Sequence, residues 1–404
     1  MENMKKYIFY LFALLFCTTG CNNGPDFGDA LYMTGTLTSS NIRFLVDGQS
    51  SIGLTVTSTT KTDTEVKINL KAAPELLEAF NASTGRNSQL PPEGSYSIEG
   101  AEVLIGAGKY QSTQIKVNAE SDKLQEGVSY CLPISITSVE GGDLKVLENS
   151  RTAYVMLTKV ITVKAANLAR NNCFDIPSFG GENSPVKALG QMTLEMKVLP
   201  VSFPTTPSSA NGISSLVGCE ENFLFRFGDG AGKPTNKLQL SKGSIGSATH
   251  PDKKDHYESW VEKEFDTGHW LHFAAVYDGQ YLRVYLDGEQ IHFVETRNGG
   301  TINLSMAYDG HTWDDTFAIG RSVGYQRFFN GYISECRVWN VARTNAQLQD
   351  GICYVDPTSP GLVAYWRFNG ETQEDGTVLD MTGHGYNAKP YRTIQWVENQ
   401  KCPF

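Results

Sequence analysis

From Trp270 to Gly288 the chain runs as two apolar-rich stretches, separated by Asp278-Gly279 and closed by Asp287-Gly288. On the second stretch Leu282, Val284 and Leu286 fall on one face of an extended chain, and Tyr281, Arg283 and Tyr285 on the other. This pattern predicts two strands joined by a two-residue turn at Asp278-Gly279, with a second turn at Asp287-Gly288. Asp-Gly readily supplies the positive φ angles that a type I′ hairpin turn requires. A strand with one apolar and one polar face suits a sandwich, packed on one side and meeting solvent or ligand on the other.

Similar short patterns fill the rest of the chain. In the N-terminal part they predict strands at 42–46, 52–56, 66–70, 103–105, 115–117, 134–137 and 153–157. Strands at that spacing point to an immunoglobulin-like sandwich. One short helix interrupts them, with Pro74 in its first turn and Leu76, Leu77 and Phe80 as its apolar stripe. Pro133 inside a strand pattern predicts an edge or a bulge. Further strands are expected at 192–199, 223–227, 237–241, 270–277, 281–286, 291–295, 316–319, 332–338 and 362–368. Thr344, with Gln347 as its capping-box partner and Gly351 as a stop, predicts a short helix. The expected fold class is therefore all-β.

The organisation read from these patterns has four parts. Lys5 and Lys6 precede an apolar run from Tyr7 to Phe16, too short for a membrane span of about 20 residues. Residues 1–20 therefore read as a secretory signal peptide. Thr18, Thr19 and Gly20 lead into Cys21. This segment resembles a bacterial lipobox, which implies acylation of Cys21 and a short polar tether over 21–30. A first β-sandwich is expected over 31–160 and a second over 161–404.

All six tryptophans lie after residue 259, so the two sandwiches differ in kind. The formal charge is −10, and no cluster of lysine and arginine appears, which argues against a nucleic-acid partner. The exported context permits disulfides. Cys353 and Cys402, in loop-like sequence, are the favoured pair; Cys173 with Cys402 is the rival. Cys131 and Cys336 sit in strand patterns and read as buried thiols.

The words from Trp270 to Gly288, followed by Phe329-Asn-Gly-Tyr-Ile-Ser-Glu-Cys-Arg-Val-Trp-Asn340 and by Gly361 to Asn369, resemble the laminin-G and concanavalin A-like lectin/glucanase jelly roll. The segments around Phe80-Asn81, Leu90-Pro91, Ile105 to Gly108 and Tyr130 to Ile134 resemble a β-sandwich domain of unknown function on surface lipoproteins of Bacteroidota. Together these resemblances imply a concanavalin A-like jelly roll behind an immunoglobulin-like spacer. They also imply an outer-membrane lipoprotein exposed at the cell surface. Its partner would be a glycan, captured without cleavage beside an outer-membrane glycan importer. Two alternatives stay open: a protein-binding adhesion module and a divergent glycoside hydrolase.

Hydrolases of this superfamily place carboxylates on alternate positions of one strand, so that an acid and a nucleophile flank the bond. Glu262, Glu264 and Asp266 come nearest to that pattern but read as a solvated acidic loop. Glu335 is expected to pair with Arg337 or Arg343. His269 and His272 read as residues flanking a strand. For calcium, which many such jelly rolls bind through carboxylates and carbonyls, Asp309, Asp314 and Asp315 are the candidates, with Asp375 and Asp380 as a second set. For sugar contact the candidates are loop aromatics beside polar groups: Trp313 with Asp314 and Asp315, Tyr325 with Arg327, and Trp260 near His256. Trp270, Trp339 and Trp366 lie in strand patterns and are expected in the core.

Overall fold

The computed structural model describes residues 29–403 apart from 182, 207–211, 221, 230–231, 243–244, 246–256, 297–299 and 306–315. The signal peptide and Cys21 lie outside the described residues.

The first sandwich is built from β1 (Ala30–Met33), β2 (Asn41–Val46), β3 (Gln49–Leu54), β4 (Val56–Ser58), β5 (Val66–Ala72), β6 (Tyr96–Glu99), β7 (Glu102–Ile105), β8 (Ile115–Glu120), β9 (Tyr130–Glu140), β10 (Lys145–Val146) and β11 (Thr152–Lys159). A five-stranded sheet, β2-β11-β9-β5-β7, stands beside two three-stranded sheets, β10-β1-β4 and β3-β8-β6. Alternation on β5 and β8 turns Val66, Ile68, Ile115 and Val117 into one shared core. A 3-10 turn at Pro74–Leu76 runs into α1 (Leu77–Thr84), which Gly85 ends in the left-handed conformation. Pro133 lies in the central strand β9, with no edge beside it. Its missing N–H is tolerated because β5 ends at Ala72, and Ala73 donates to the Pro133 carbonyl as it leaves the sheet.

At Val160 the chain passes into the second sandwich. Its strands are β12 (Ile161–Asn167), β13 (Phe174–Asp175), β14 (Met192–Pro200), β15 (Ser214–Cys219), β16 (Phe223–Asp229), β17 (Lys233–Lys242), β18 (Tyr257–Glu264), β19 (Leu271–Tyr277), β20 (Tyr281–Leu286), β21 (Glu289–Glu295), β22 (Ala318–Ile319), β23 (Gly331–Trp339), β24 (Leu362–Arg367), β25 (Lys389–Pro390) and β26 (Gln395–Cys402). An eight-stranded sheet has the order β21-β20-β19-β14-β23-β12-β26, with β24 also paired to β23. It faces a seven-stranded sheet, β18-β17-β16-β15-β22-β13-β25. Between the sheets Phe225, Phe227, Phe265 and Phe273 meet largely edge to face, an arrangement worth about 0.5–1.5 kcal/mol per pair beyond area burial. Trp366 is wholly buried there, and its indole N–H donates to the Tyr386 carbonyl.

The two Asp-Gly turns differ. Three residues, 278–280, connect β19 to β20. The Asp278 carboxylate accepts from the N–H groups of Gln280 and Tyr281, and Gly279 takes φ 99°. Asp278 thus acts as a side-chain turn former, and the predicted two-residue turn does not occur there. The two-residue turn with positive φ at both positions is Asp287-Gly288, at 52° and 83°. The helix α2 (Asn345–Asp350) carries the expected capping box between Thr344 and Gln347.

A disulfide joins Cys353 to Cys402, and Cys131, Cys173, Cys219 and Cys336 are buried and form no disulfide. The two sandwiches meet near this disulfide. Arg86 of the first pairs with Asp350 and donates to Gln349 at 2.8 Å. Glu126 pairs with Arg367. Gly127, at φ 76°, lies against the Tyr354 ring, so close that a Cβ there would overlap it.

Candidate functional site

On the seven-stranded sheet, alternation sends Phe223, Phe225, Phe227, Leu238, Leu240, Val261, Phe174 and Ile319 into the core. The intervening residues face the other way. Strand register then sets Trp260, Gln239, Arg226 and Ser215 in one row across β18, β17, β16 and β15. Such a face would ordinarily be solvated, yet Arg226, Gln239 and Ser215 are buried.

The row is tied together by charge. Glu220, just beyond β15, accepts with one oxygen, Oε1, from Arg226 at 3.1 Å and from Arg327 at 2.7 Å. Its other oxygen, Oε2, has no partner among the described residues. Arg226 Nε donates to Gln239, whose amide donates in turn to Asp229 at 3.0 Å. At one end Trp260 is half-buried, with Lys233 Nζ 5.8 Å from its ring centre.

The loop after β22 crosses the other end. Val323, Tyr325 and Arg327 all adopt positive φ, at 50°, 64° and 51°. Left-handed backbone at a β-branched residue is costly and persists where surrounding contacts enforce it. Those contacts are visible. Ser215 Oγ lies 2.8 Å from Ser322 Oγ, Ser215 N–H donates to the Arg327 carbonyl at 2.8 Å, and Arg327 reaches Glu220. Tyr325 donates its hydroxyl to Asp175 at 2.7 Å, and Asp175 also accepts from Arg321. The hydrogen bond to that carboxylate, with partial burial, pushes the Tyr325 phenol up to about 12.

The structure therefore brings Trp260, Tyr325 and Arg327 to one face. Tyr325 does not offer a sugar platform: one face of its ring lies on Tyr391, with centres 4.4 Å apart, and the Arg321 guanidinium lies 4.3 Å from the ring centre. Its role is to brace the loop. Asp309, Trp313, Asp314, Asp315 and His256 lie outside the described residues. Glu220, Arg226, Gln239 and Asp175 were not singled out from the sequence. The alternation in Phe223 to Phe227 already put Arg226 opposite three core phenylalanines, but it could not show that this face would be buried.

Three further expectations are corrected or refined. Glu262 and Glu264 belong to strand β18, not to a loop, because that strand pairs with β17 through Trp260 and Glu264. The Glu262 side chain is 83% exposed and paired with Lys237 at 2.6 Å, so it does not form an acid–nucleophile pair. His272 is buried within β19, 3.1 Å from Glu195, and does not flank the strand. Asp380 spends its oxygens on the N–H groups of Tyr365, Thr382 and Tyr386 and on the Thr382 hydroxyl. Asp375 accepts from the Thr377 N–H. Both oxygens of Asp380 are thus engaged within the chain, whereas Asp375 is exposed. Among the described residues no group of three or more His, Cys, Asp or Glu could hold a metal ion.

A second charge cluster covers the outer face of the eight-stranded sheet. Glu195 accepts from Arg343 at 2.6 Å with one oxygen, and from Arg337 at 3.2 Å with the other, which also lies against His272. Arg337 also donates to Glu335 at 2.9 Å and to the Gly351 carbonyl at 2.6 Å. Arg367 links Glu335 to Glu126 of the first sandwich. Glu335 thus pairs with Arg337, as expected, and has a structural role. Lys197 is buried beside them, 5.0 Å from the Trp270 ring centre, and burial pulls its amine down to about 8.

Comparison with known proteins accords with this architecture. Residues 184–349 match the model of the concanavalin A-like lectin/glucanases superfamily, and residues 26–143 match a family model for an N-terminal domain. No curated protein matches the sequence. A crystal structure from Bacteroides ovatus, of a protein to which carbohydrate binding is ascribed, shares the fold over most of the chain. It is 24% identical, covers 92% of this chain and 98% of its own, and has a TM-score of 0.51. Domain 4 of AbnA, an extracellular arabinanase from Geobacillus stearothermophilus in complex with arabinotriose, is 22% identical over 41% of this chain and 68% of its own, with a TM-score of 0.29. The Bacteroides thetaiotamicron protein EndoBT-3987, with Man5GlcNAc product, is 15% identical over 37% of this chain and 32% of its own, with a TM-score of 0.26. Scores as low as these last two carry nothing further about this chain. The chain carries an N-terminal β-sandwich domain followed by a jelly roll, within which residues 184–349 match the concanavalin A-like lectin/glucanases superfamily.

Proposed function

We propose that this protein binds an oligo- or polysaccharide, without cleaving it, on the outer face of the seven-stranded sheet. One observation carries the reading. A face turned away from the core holds a buried row of Arg226, Gln239 and Ser215, braced by Glu220 and Arg327 and edged by Trp260. Sugars are recognised by an aromatic surface together with fixed polar groups; on this face the half-buried Trp260 and Arg327 reach the surface, and the buried row beneath holds them in place. The superfamily's name and the carbohydrate binding ascribed to the Bacteroides ovatus protein are consistent with this reading. The exposure of Glu262 and its pairing with Lys237 favour binding over cleavage.

Acylation of Cys21 would hold the protein on the outer membrane, facing the medium, where it would pass captured glycan to an outer-membrane importer. Calcium enters no part of this reading.

The test is a glycan array with the soluble protein, residues 22–404, with calcium and with chelator. Saturable binding to one glycan class, weakened by Trp260→Ala and by Arg327→Ala, is the expected result. Loss of binding with chelator would bring in a metal at Asp309, Asp314 and Asp315. Binding to no glycan by the folded protein would end the proposal. Labelling with a fatty-acid analogue should mark the full-length protein and spare Cys21→Ala.

A further inference from the structure

On either side of β25 the chain forms a second concavity, lined by none of the residues of the Glu220 row. Residues 372–376, 390–394 and 396 line an open cleft of about 560 Å³. Trp396 forms one wall. It is half-buried, and it packs against the main core beside Ile394. Among the described residues its ring has no stacking or cationic partner. Tyr391 forms another wall and is 43% exposed. Around these rings stand Glu374, Arg392, Gln373 and Thr393, all exposed. Arg392 is oriented by a bond to the Arg170 carbonyl at 3.2 Å and by the Tyr391 ring, whose centre is 5.0 Å away. Glu374 has no ion-pair partner among the described residues. The backbone here is braced: Gln373 N–H donates to the Thr377 carbonyl, and Asp375 accepts from the Thr377 N–H. All of these residues lie outside the segment that matches the superfamily model.

We infer that this cleft is a second carbohydrate subsite, taking one or two sugar rings of the same glycan class as the sheet face. The choice of ligand class rests on the glycan reading above; the site itself rests on the cleft. Trp396 would stack on the C–H face of a ring, and Glu374, Arg392 and Gln373 would meet its hydroxyls. Arg392 and Glu374 oppose one another in charge, which favours an uncharged sugar over a uronate or a sulfate. Tyr391 also stacks on Tyr325, so the two subsites share a wall. A ligand long enough to reach both would gain from holding one while binding the other.

The experiment is calorimetric titration with soluble fragments of arabinan, xylan, mannan and β-glucan, short and long, on the wild type and on Trp396→Ala, Glu374→Gln and Trp260→Ala. The expected wild-type result is tighter binding of the long fragment of one polysaccharide than of its short one. Trp396→Ala should weaken the long fragment by about tenfold or more. Glu374→Gln, a change at an exposed side chain that guards against misfolding of the tryptophan variant, should do so less strongly. Trp260→Ala should leave residual short-fragment binding that the Trp396→Ala change then abolishes. If Trp396→Ala and Glu374→Gln both bind every fragment as the wild type does while Trp260→Ala does not, the cleft is no subsite and the sheet-face reading stands. If the wild type binds none of the fragments, both are overturned.

Discussion

The two outer faces of the second sandwich both bury charge, and they are covered differently. On the eight-stranded sheet, both oxygens of Glu195 are engaged, as are both of Glu335. The lid over them is the chain's own: α2, Tyr354, and Arg86 and Glu126 of the first sandwich. On the seven-stranded sheet, Glu220 holds two arginines with one oxygen and leaves the other without a partner among the described residues. None of the ion pairs from the first sandwich reaches that face among the described residues. The first cluster joins the two sandwiches, and the second is the glycan site proposed above. A buried charge is read by what covers it, and burial alone does not tell the two apart.

The comparison can be broken most forcefully at Glu195. Removing its charge leaves Arg337 and Arg343 without their shared carboxylate. Glu195→Gln should therefore cost about 3–5 kcal/mol of stability, read from urea unfolding. A loss below about 1 kcal/mol would show that the cluster is not the joint described here.

Acidity sharpens the same point. Burial pushes the Glu195 carboxyl up, but Arg343, His272 and Arg337 outweigh it and hold the group well below the usual carboxylate range. A carboxylate depressed in the folded state stabilises above its unfolded value near 4.3 and loses that contribution as the pH falls through its folded one. Wild-type stability should thus fall steadily below about pH 4, and Glu195→Gln should show a shallower fall. Lys197 works at the other end of the scale. Its amine is depressed to about 8 in the folded state, so the unfolded chain binds more protons between there and about 10.4. Stability should rise across that window as the pH increases, and Lys197→Met should remove the rise. A flat urea midpoint from pH 8 to 10 in the wild type would contradict the burial of this amine.

A smaller effect is expected where the sandwiches meet. Arg86→Ala leaves the half-buried Asp350 without its cation, which should cost about 1–3 kcal/mol and loosen the angle between the domains. Small-angle scattering should detect the loosening as a larger radius of gyration. The smallest effect on stability belongs to the other face. Arg327→Ala should cost about 1 kcal/mol, because Arg226 remains on Glu220 and the carboxylate keeps a cation.

The sequence was most legible where one rule governed each residue. Alternation identified the core strands, the box of Thr344 and Gln347 marked α2, and Trp339 and Trp366 are buried as their strand patterns implied. Strand β18 was missed because Glu258, Trp260, Glu262 and Glu264 give it one polar face, and so much charge reads as loop. Its pairing with β17 overrides that composition. The site was only half legible. Trp260, Tyr325 and Arg327 stood out as loop aromatics and their neighbours, whereas Glu220 and Gln239 looked like ordinary polar residues. They gain their role from register across four strands and from a loop that returns more than 100 residues later, a relation that local pattern cannot express. Asp278 shows the same limit at short range. Asp-Gly announces a turn, but the aspartate's own hydrogen bonds choose which turn forms.

The most direct test sets the two faces against each other in one titration. The glycan selected by the array would be titrated into Arg327→Ala, Trp260→Ala and Glu195→Gln, with melting curves recorded for each. The account predicts that the first two lose affinity about tenfold or more with little change in melting. Glu195→Gln should melt earlier and, below its melting temperature, bind as the wild type does. The opposite outcome, full affinity in Arg327→Ala and Trp260→Ala with lost affinity in folded Glu195→Gln, would place the site on the eight-stranded sheet and contradict the account.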